Sequence, residues 1–219
     1  MSKVIIFGNG QNAEVAYYYL THDSDHEVVA FTVDKNYLNG QSFWGLPVVP
    51  FEELEKYYPP SLYKIFIPIP FTDLNKLREE KYLESKKRGY QFISYISSKA
   101  TYYGTSVGEN CFILENNVIQ PFVEIGNNVI LWSGNHIGHH SKIDDHCFLA
   151  SHIVVSGSVT VEPYCFIGVN ATIRDNVVIG KQSIIGAGTL ILNDIPEKSV
   201  LIGNRTKPRD IKSDSIRRI

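Results

Sequence analysis

Two rhythms of hydrophobic and polar positions divide the 219-residue chain. In the first half, short apolar runs alternate with amphipathic stretches. "KVIIFG" (3–8) reads as a buried, β-branched strand that runs into "GNGQNAEVAYYYLTH", a glycine turn opening a helix. A second strand, "HEVVAFTVD", ends on Asp34, and "VPFEELEKYY" is a short helix. "YKIFIPIP" is a third strand, "TDLNKLREEKYLESKKRG" a charged helix with Thr72 as its N-cap, and "YQFISYIS" a fourth strand. Strands alternating with helices predict a small α/β domain with a Rossmann-like parallel sheet over residues 1–98.

The second half, residues 99–219, steps in sixes. From Val107 the series runs Val107, Ile113, Ile119, Ile125, Leu131, Ile137, Ile143, Leu149, Val155, Val161, Ile167, Ile173, Ile179, Ile185 and Ile191. If about a quarter of residues were Ile, Leu or Val, chance would not supply such a run. Glycine often follows the aliphatic (Gly108, Gly126, Gly138, Gly168, Gly180, Gly186), and a small or β-branched residue often stands four places after it (Cys111, Val123, Val129, Ser141, Cys147, Ala171). A period of six fits neither a 3.6-residue helix nor a long two-residue strand. It predicts short strands joined by turns, each hexad forming one side of a coil with its aliphatic inside, and coils stacked as a solenoid.

Five of the seven histidines fall between His136 and His152, three of them in "NHIGHHSKI" (His136, His139, His140). A zinc site needs converging rings, and H-x-x-H-H on a short strand and turn scatters them, so no metal is expected. Solvated histidines and a general base remain as alternatives. Histidine suits the second because its ordinary pKa, about 6.5, lets it take a proton from an attacking nucleophile near neutral pH.

Near the start, Gly8-x-Gly10-x-x-Ala13 follows a strand and opens a helix, and Asp34 ends the next strand. That is the dinucleotide fingerprint, with glycines for the turn, a helix N-terminus for phosphate and an acid for ribose. Fewer than 100 residues precede the hexads, too few for the usual pair of mononucleotide-binding halves, and no hydride-transfer domain follows. NAD is therefore disfavoured. A net charge of −2 and the lack of a Lys/Arg stripe argue against nucleic acid. No apolar run approaches the roughly 20 residues of a membrane span, and "MSKVIIFGNG" does not look like a secretory signal. With only three cysteines, a cytoplasmic protein is expected.

The hexads over about residues 100–206 resemble those of the hexapeptide-repeat acyltransferases. The resemblance implies a left-handed parallel β-helix with three faces, hence 18 residues per coil. Cys111, Cys147 and Cys165 would then stack at one corner, with Val129 between the first two, as core side chains. "NHIGHHSKI" is similar to the active-site segment of this superfamily, which in lipid A-type relatives reads like H-I-A-H-D-C. This implies His139 as general base, with His136 assisting or contacting substrate. His140 stands where those relatives carry an acid, so the group that orients His139 is sought in Asp144, Asp145 or another subunit. His152 is placed either at the acyl donor or on the surface.

"IIGAGTLILNDIPEKSVLIGNRTKPRD" resembles the closing coil of members that use acetyl-CoA, where a segment like G-N-P-A-K lies beside the cofactor. Gly203, Asn204 and Lys207 match, and Arg205-Thr206 replaces Pro-Ala. Gly186 and Gly188 would admit a pantetheine arm, and Arg205, Lys207 or Arg209 would meet a phosphate. With the glycine loop and the joining segment "GYQFISYISSKATYYG" included, nearly the whole chain resembles the bacterial nucleotide-sugar N-acyltransferases of the sugar O-acyltransferase type. The family implies an acetyl-CoA-dependent N-acetyltransferase acting on a nucleotide-linked amino sugar for surface-glycan synthesis, with Gly8, Asn9, Gly10 and Asp34 at the nucleotide sugar. It further implies a homotrimer with active sites between coils. A backbone N–H near Gly157 is expected at the acyl carbonyl. The "IPIPFTDLNKLRE" stretch is less typical and is expected to bear on substrate choice. A sugar O-acetyltransferase, a lipid A-type acyltransferase and a non-catalytic trimeric scaffold are the alternatives, since hexads specify a fold and not a reaction.

Overall fold

The computed structural model describes residues 2–103, 106–204 and 210. The first part contains β1 (Lys3–Phe7), α1 (Gln11–His22), β2 (Glu27–Val33), β3 (Ser42–Phe43), β4 (Leu46–Pro50), α2 (Leu54–Tyr57), β5 (Lys64–Phe66), α3 (Lys76–Lys87) and β6 (Gln91–Phe92). They build a six-stranded sheet in the order β3-β4-β2-β1-β5-β6, parallel except for the β3–β4 pair. Val4, Ile5 and Ile6 at its centre are fully buried, so β1 is a continuous apolar run and does not alternate.

Three features differ from the sequence expectation. The β3–β4 hairpin turns at Trp44 and Gly45, both with positive φ, and its prolines Pro47 and Pro50 hide its strand character at the sheet edge. "YQFISYIS" is divided: Gln91–Phe92 closes the α/β sheet, while Tyr95–Ile96 already pairs with Phe112–Ile113 in the coil. Thr72 does not cap α3. The cap position belongs to Asn75, which follows Asp73 and Leu74 in a run of left-handed residues (φ 47°, 49° and 68°).

The second part is a left-handed parallel β-helix with three parallel sheets of seven, six and five strands among the described residues. Its register advances 18 residues per coil, as in Phe112, Ile130, Phe148, Phe166 and Ile184, and the last step to Val200 is shorter by two. All fifteen hexad aliphatics except the partly buried Val107 lie in the core. Truncating a central one such as Ile137 to alanine would cost about 2–5 kcal/mol. Cys111, Cys147 and Cys165 are fully buried in the same core, as the 18-residue spacing implies. Burial pushes the Cys111 thiol up to about 12 and raises Cys147 as well, so neither is primed as a nucleophile.

A second six-residue series marks the corners. Every sixth residue from Asn110 to Gly188 has φ between 56° and 80°. Asn, His and Gly tolerate that left-handed backbone best, and they fill most of these places. His140, His146 and His152 belong to this series, so much of the histidine cluster follows from backbone geometry.

The α/β domain rests on one face of the coil. Phe112, Ile130 and Phe148 on that face share a buried cluster with Val4, Ile6, Ala16, Leu20 and Phe66. Asp23, at the end of α1, accepts hydrogen bonds from Tyr95 Oη (2.5 Å), Ser97 Oγ (3.0 Å) and the Ser98 N–H (2.9 Å). The adjoining corner is polar. Asn110 Nδ2 donates to Asn128 Oδ1 at 2.7 Å, Asn128 Nδ2 meets His146 Nδ1 at 2.8 Å, and the His146 ring stacks on Tyr164 at 5.0 Å. Arg78 of α3 is fully buried against this ladder and donates to the carbonyls of Ile69, Pro70, Asn128, His146 and Cys147 at 2.9–3.2 Å. Burial pulls its pKa down to about 9, still well above neutral, so a buried cation joins the two parts through backbone dipoles.

Candidate active site

The side chains of His139 and His140 project from one coil corner and are exposed. Their Nδ1 atoms lie 3.1 Å apart, and the His139 N–H donates to Gln120 Oε1 at 2.8 Å. His139 Nε2 makes no hydrogen bond among the described residues. The His140 ring tilts against the exposed ring of Phe122, one coil earlier, at 4.7 Å. His139 lies over Gly157, one coil later. A β-carbon added to Gly157 would stand 2.8 Å from His139 Cε1 and 3.0 Å from Nε2. Glycine is needed there for space and not for a left-handed turn.

Two expectations about this corner are corrected. Asp144 is ion-paired with Lys142 at 2.9 Å, and Asp145 Oδ1 accepts the Asn127 N–H at 2.6 Å, so neither orients His139. The group against His139 Nδ1 is His140, which stands in the place of the expected acid. The Gly157 N–H is also committed, donating to Asp175 Oδ1 at 2.7 Å, and the Ser158 N–H donates to the His139 carbonyl at 2.9 Å. These donors are unavailable to an acyl carbonyl. His136 sits half-buried on the strand leading into the corner, paired in register with Val118 and Val154. His152 belongs to a different corner, where its ring fills the space beside Gly134 and its N–H donates to the Ser133 carbonyl at 3.1 Å.

The glycine loop forms a separate pocket of about 380 Å³ between β1, the start of α1 and α3. Gly8, with φ 117°, donates its N–H to the Thr32 carbonyl at 2.7 Å, which folds the loop back beneath the helix. Gly10 caps α1 without a side-chain hydrogen bond, so first-turn N–H groups remain for a ligand. Asn9 Nδ2 donates to Asn39 Oδ1 at 2.9 Å. Asp34 lines the pocket but is paired with Lys81 Nζ at 2.7 Å. Lys81 also lies over the rings of Phe7 and Phe51 at 5.8 and 5.5 Å. Burial opposes its charge, but Asp34 and nearby Glu84 and Glu80 more than offset that and raise its pKa. Sequence reasoning missed Lys81, because a lysine within "NKLREEKY" looks like part of a solvated face. Pro68, Ile69 and Pro70 of the less typical stretch line the same pocket, while its Phe71 packs on Phe148 and Phe166 of the coil.

At the far end of the coil, Gly186 and Gly203 are required by the coil's own closure. A β-carbon on Gly186 would lie 2.8 Å from the Leu201 carbonyl oxygen, and one on Gly203 would collide with that of Ala187. Gly188 takes the left-handed turn (φ 67°) with open space beside it. Leu192, Ile202 and Asn204 are exposed. Arg205, Lys207 and Arg209 lie outside the described residues. Among the described residues, no group of three or more His, Cys, Asp or Glu could hold a metal ion, and no helix is long and apolar enough to cross a membrane.

Residues 104–139 and 158–193 match the family described as bacterial transferase hexapeptide (six repeats). No curated protein sequence matches the chain. Among solved structures, a histidine-to-asparagine variant of perosamine N-acetyltransferase from Caulobacter crescentus, in complex with CoA and GDP-perosamine, is similar at a TM-score of 0.84. The two are 24% identical over 93% of this chain and 94% of that one. WeeI from Acinetobacter baumannii is similar at 0.70, with 19% identity over 93% and 97% of the two chains. The acetyltransferase domain of PglB from Neisseria gonorrhoeae reaches 0.57, with 20% identity over 95% and 100%. At these identities the likeness shows the fold, an α/β domain followed by a hexapeptide β-helix.

Proposed function

We propose that this protein is an N-acetyltransferase that moves the acetyl group of acetyl-CoA onto the amine of a nucleotide-linked amino sugar. The observation that carries the reading is the His139–His140 contact, which fixes one nitrogen of an exposed imidazole and leaves the other free. The likeness of fold to perosamine N-acetyltransferase supports the choice of reactants. With the proton on His139 Nδ1 donated to His140, His139 Nε2 carries the lone pair. His139 Nε2 takes the amine's proton as the new N–C bond forms and the C–S bond breaks, and then returns a proton to the departing sulfur. His136 contacts the substrate on the approach to that corner.

Acetyl-CoA supplies an activated acyl thioester. Gly188, Leu192, Ile202 and Asn204 fit its pantetheine arm. Gly186 and Gly203 shape that end of the coil, and Gly157 seats the imidazole. Gly8, Asn9, Gly10, Asp34 and Lys81 bind the nucleotide. The glycine-loop pocket has no lining residue in common with the histidine corner of the same chain, which supports completion of the site by a second copy in a homotrimer. Outward-facing Val154 and Leu190, on the same sheet as His136, supply an apolar surface for that assembly.

The reading is tested by measuring CoA release from acetyl-CoA with UDP-, GDP- and dTDP-linked amino sugars and with their hydroxyl counterparts. Turnover confined to one amino sugar is expected. Turnover confined to the hydroxyl sugars would reassign the protein as an O-acetyltransferase, and none with either set would leave a scaffold.

A further inference from the structure

A second cleft, of about 640 Å³, opens between α1 and the coil on the other side of the helix's first turn, and it shares Gln11 and Asn12 with the glycine-loop pocket. The two thus adjoin at the first turn of α1. Their chemistry differs. The glycine-loop pocket offers the free N–H groups of the helix N-terminus, which favour an anion, and its carboxylates Asp34 and Glu80 lie beside Lys81, which pairs with Asp34 at 2.7 Å. The second cleft is lined by two carboxylates, Glu14 and Glu115, and by no lysine or arginine among the described residues.

Glu115 is held from two sides. Tyr19 Oη of α1 donates to its Oε2 at 2.5 Å, and Ser133 Oγ, one coil later, donates to its Oε1 at 2.7 Å. Each oxygen keeps a second lone pair, so a braced carboxylate can still accept from a ligand. Half-buried Trp132 forms the neighbouring wall and offers the flat apolar face on which the C–H side of a pyranose ring packs.

We propose that this cleft is the sugar subsite, in which Glu115 selects the amino group in its protonated resting form, which releases one proton to solvent before the attack in which His139 takes the next, and Trp132 supports the ring. The inference rests on the nucleotide-sugar reading above and deepens it. With the diphosphate at the first turn of α1, a sugar attached to it reaches the cleft along Gln11 and Asn12. An ammonium gains a charge-assisted hydrogen bond to Glu115 that a hydroxyl or an acetamido group does not. The cleft therefore favours the unreacted amine over its acylated product, whose loss of charge promotes release.

The test is calorimetric titration of the full chain with GDP, UDP and dTDP, and with each nucleotide's 4-amino-4,6-dideoxyhexose and matching 4-hydroxy sugar. Wild type is expected to bind one amino sugar at least ~10-fold more tightly than its hydroxyl partner, the discrimination of one charged hydrogen bond. In Glu115→Gln that preference disappears while the bare nucleotide binds as before. In Trp132→Leu both sugars weaken and the nucleotide does not. Equal binding of amino and hydroxyl sugars by wild type, which needs no variant to fold, would overturn the proposal. So would a preference that survives Glu115→Gln, leaving Glu115 as a strut between α1 and the coil. If no nucleotide or nucleotide sugar binds, the nucleotide-sugar reading falls and takes this subsite with it.

Discussion

His140 and His146 stand six residues apart in the same left-handed turn position, with φ of 59° and 63°, on neighbouring corners of one coil. Their surroundings differ. His146 is buried under α3, bonded to Asn128, stacked on Tyr164 and 3.8 Å from Glu79. His140 is exposed, flanked by Phe122 and placed against the next imidazole, His139. Repeat phase explains why a histidine is tolerated at both corners. The neighbours decide whether the ring is buried between two parts of the chain or left open to solvent.

The largest effect is expected at the buried corner. Arg78→Met would leave several carbonyls without a donor and cost at least about 3 kcal/mol of stability. For a chain of this size that is a fall of roughly 6–12 °C in the thermal midpoint. A smaller fall would mean that the two parts hold together without the clamp. At the exposed corner, Gly157→Ala should act on chemistry alone. The added methyl displaces the His139 ring, lowering kcat/KM by at least ~10-fold. The melting midpoint should stay within about 2 °C of wild type, because an exposed ring can move aside without disturbing the core.

The smallest effect is a pH dependence that separates the two corners. Burial pushes the His146 pKa below its ordinary value, against the pull of Glu79 and Asp145. The folded protein thus prefers neutral His146, and below about pH 6.5 the unfolded chain binds more protons at this position than the folded one. This residue's contribution is complete above the unfolded pKa and declines as pH falls through the range below it. His146→Asn, which keeps a residue suited to the turn, should flatten that part of the acid limb by roughly 2 °C in melting curves taken between pH 7.5 and 5.5. An unchanged limb would indicate that His146 is hydrated.

Much of this architecture was legible in the chain. Fifteen aliphatics at a strict interval predict the coil, and the 18 residues per coil that the family resemblance implies place the cysteines in one stack. The corners were less legible. Measured from His139, the 13-residue offset to His152 suggests nothing, whereas His140, His146 and His152 are evenly spaced by six and share one backbone conformation. The partner of His139 was sought among acids because a carboxylate orients an imidazole well, yet the group against its Nδ1 is an adjacent ring. Arg78 and Lys81 look solvated in a charged helix, since pattern alone does not reveal carbonyls converging from another domain. Glycines were also ambiguous: Gly186 and Gly203 accommodate neighbouring backbone, while Gly157 accommodates a side chain.

The most direct test of the division between the two corners measures acetyl transfer and thermal melting side by side in His139→Ala and His146→Asn. The account predicts that His139→Ala loses at least ~10²-fold in turnover while its melting midpoint holds. It predicts that His146→Asn keeps its turnover per folded molecule and shifts only in stability. Turnover that survives His139→Ala, or is lost instead in folded His146→Asn, would contradict it.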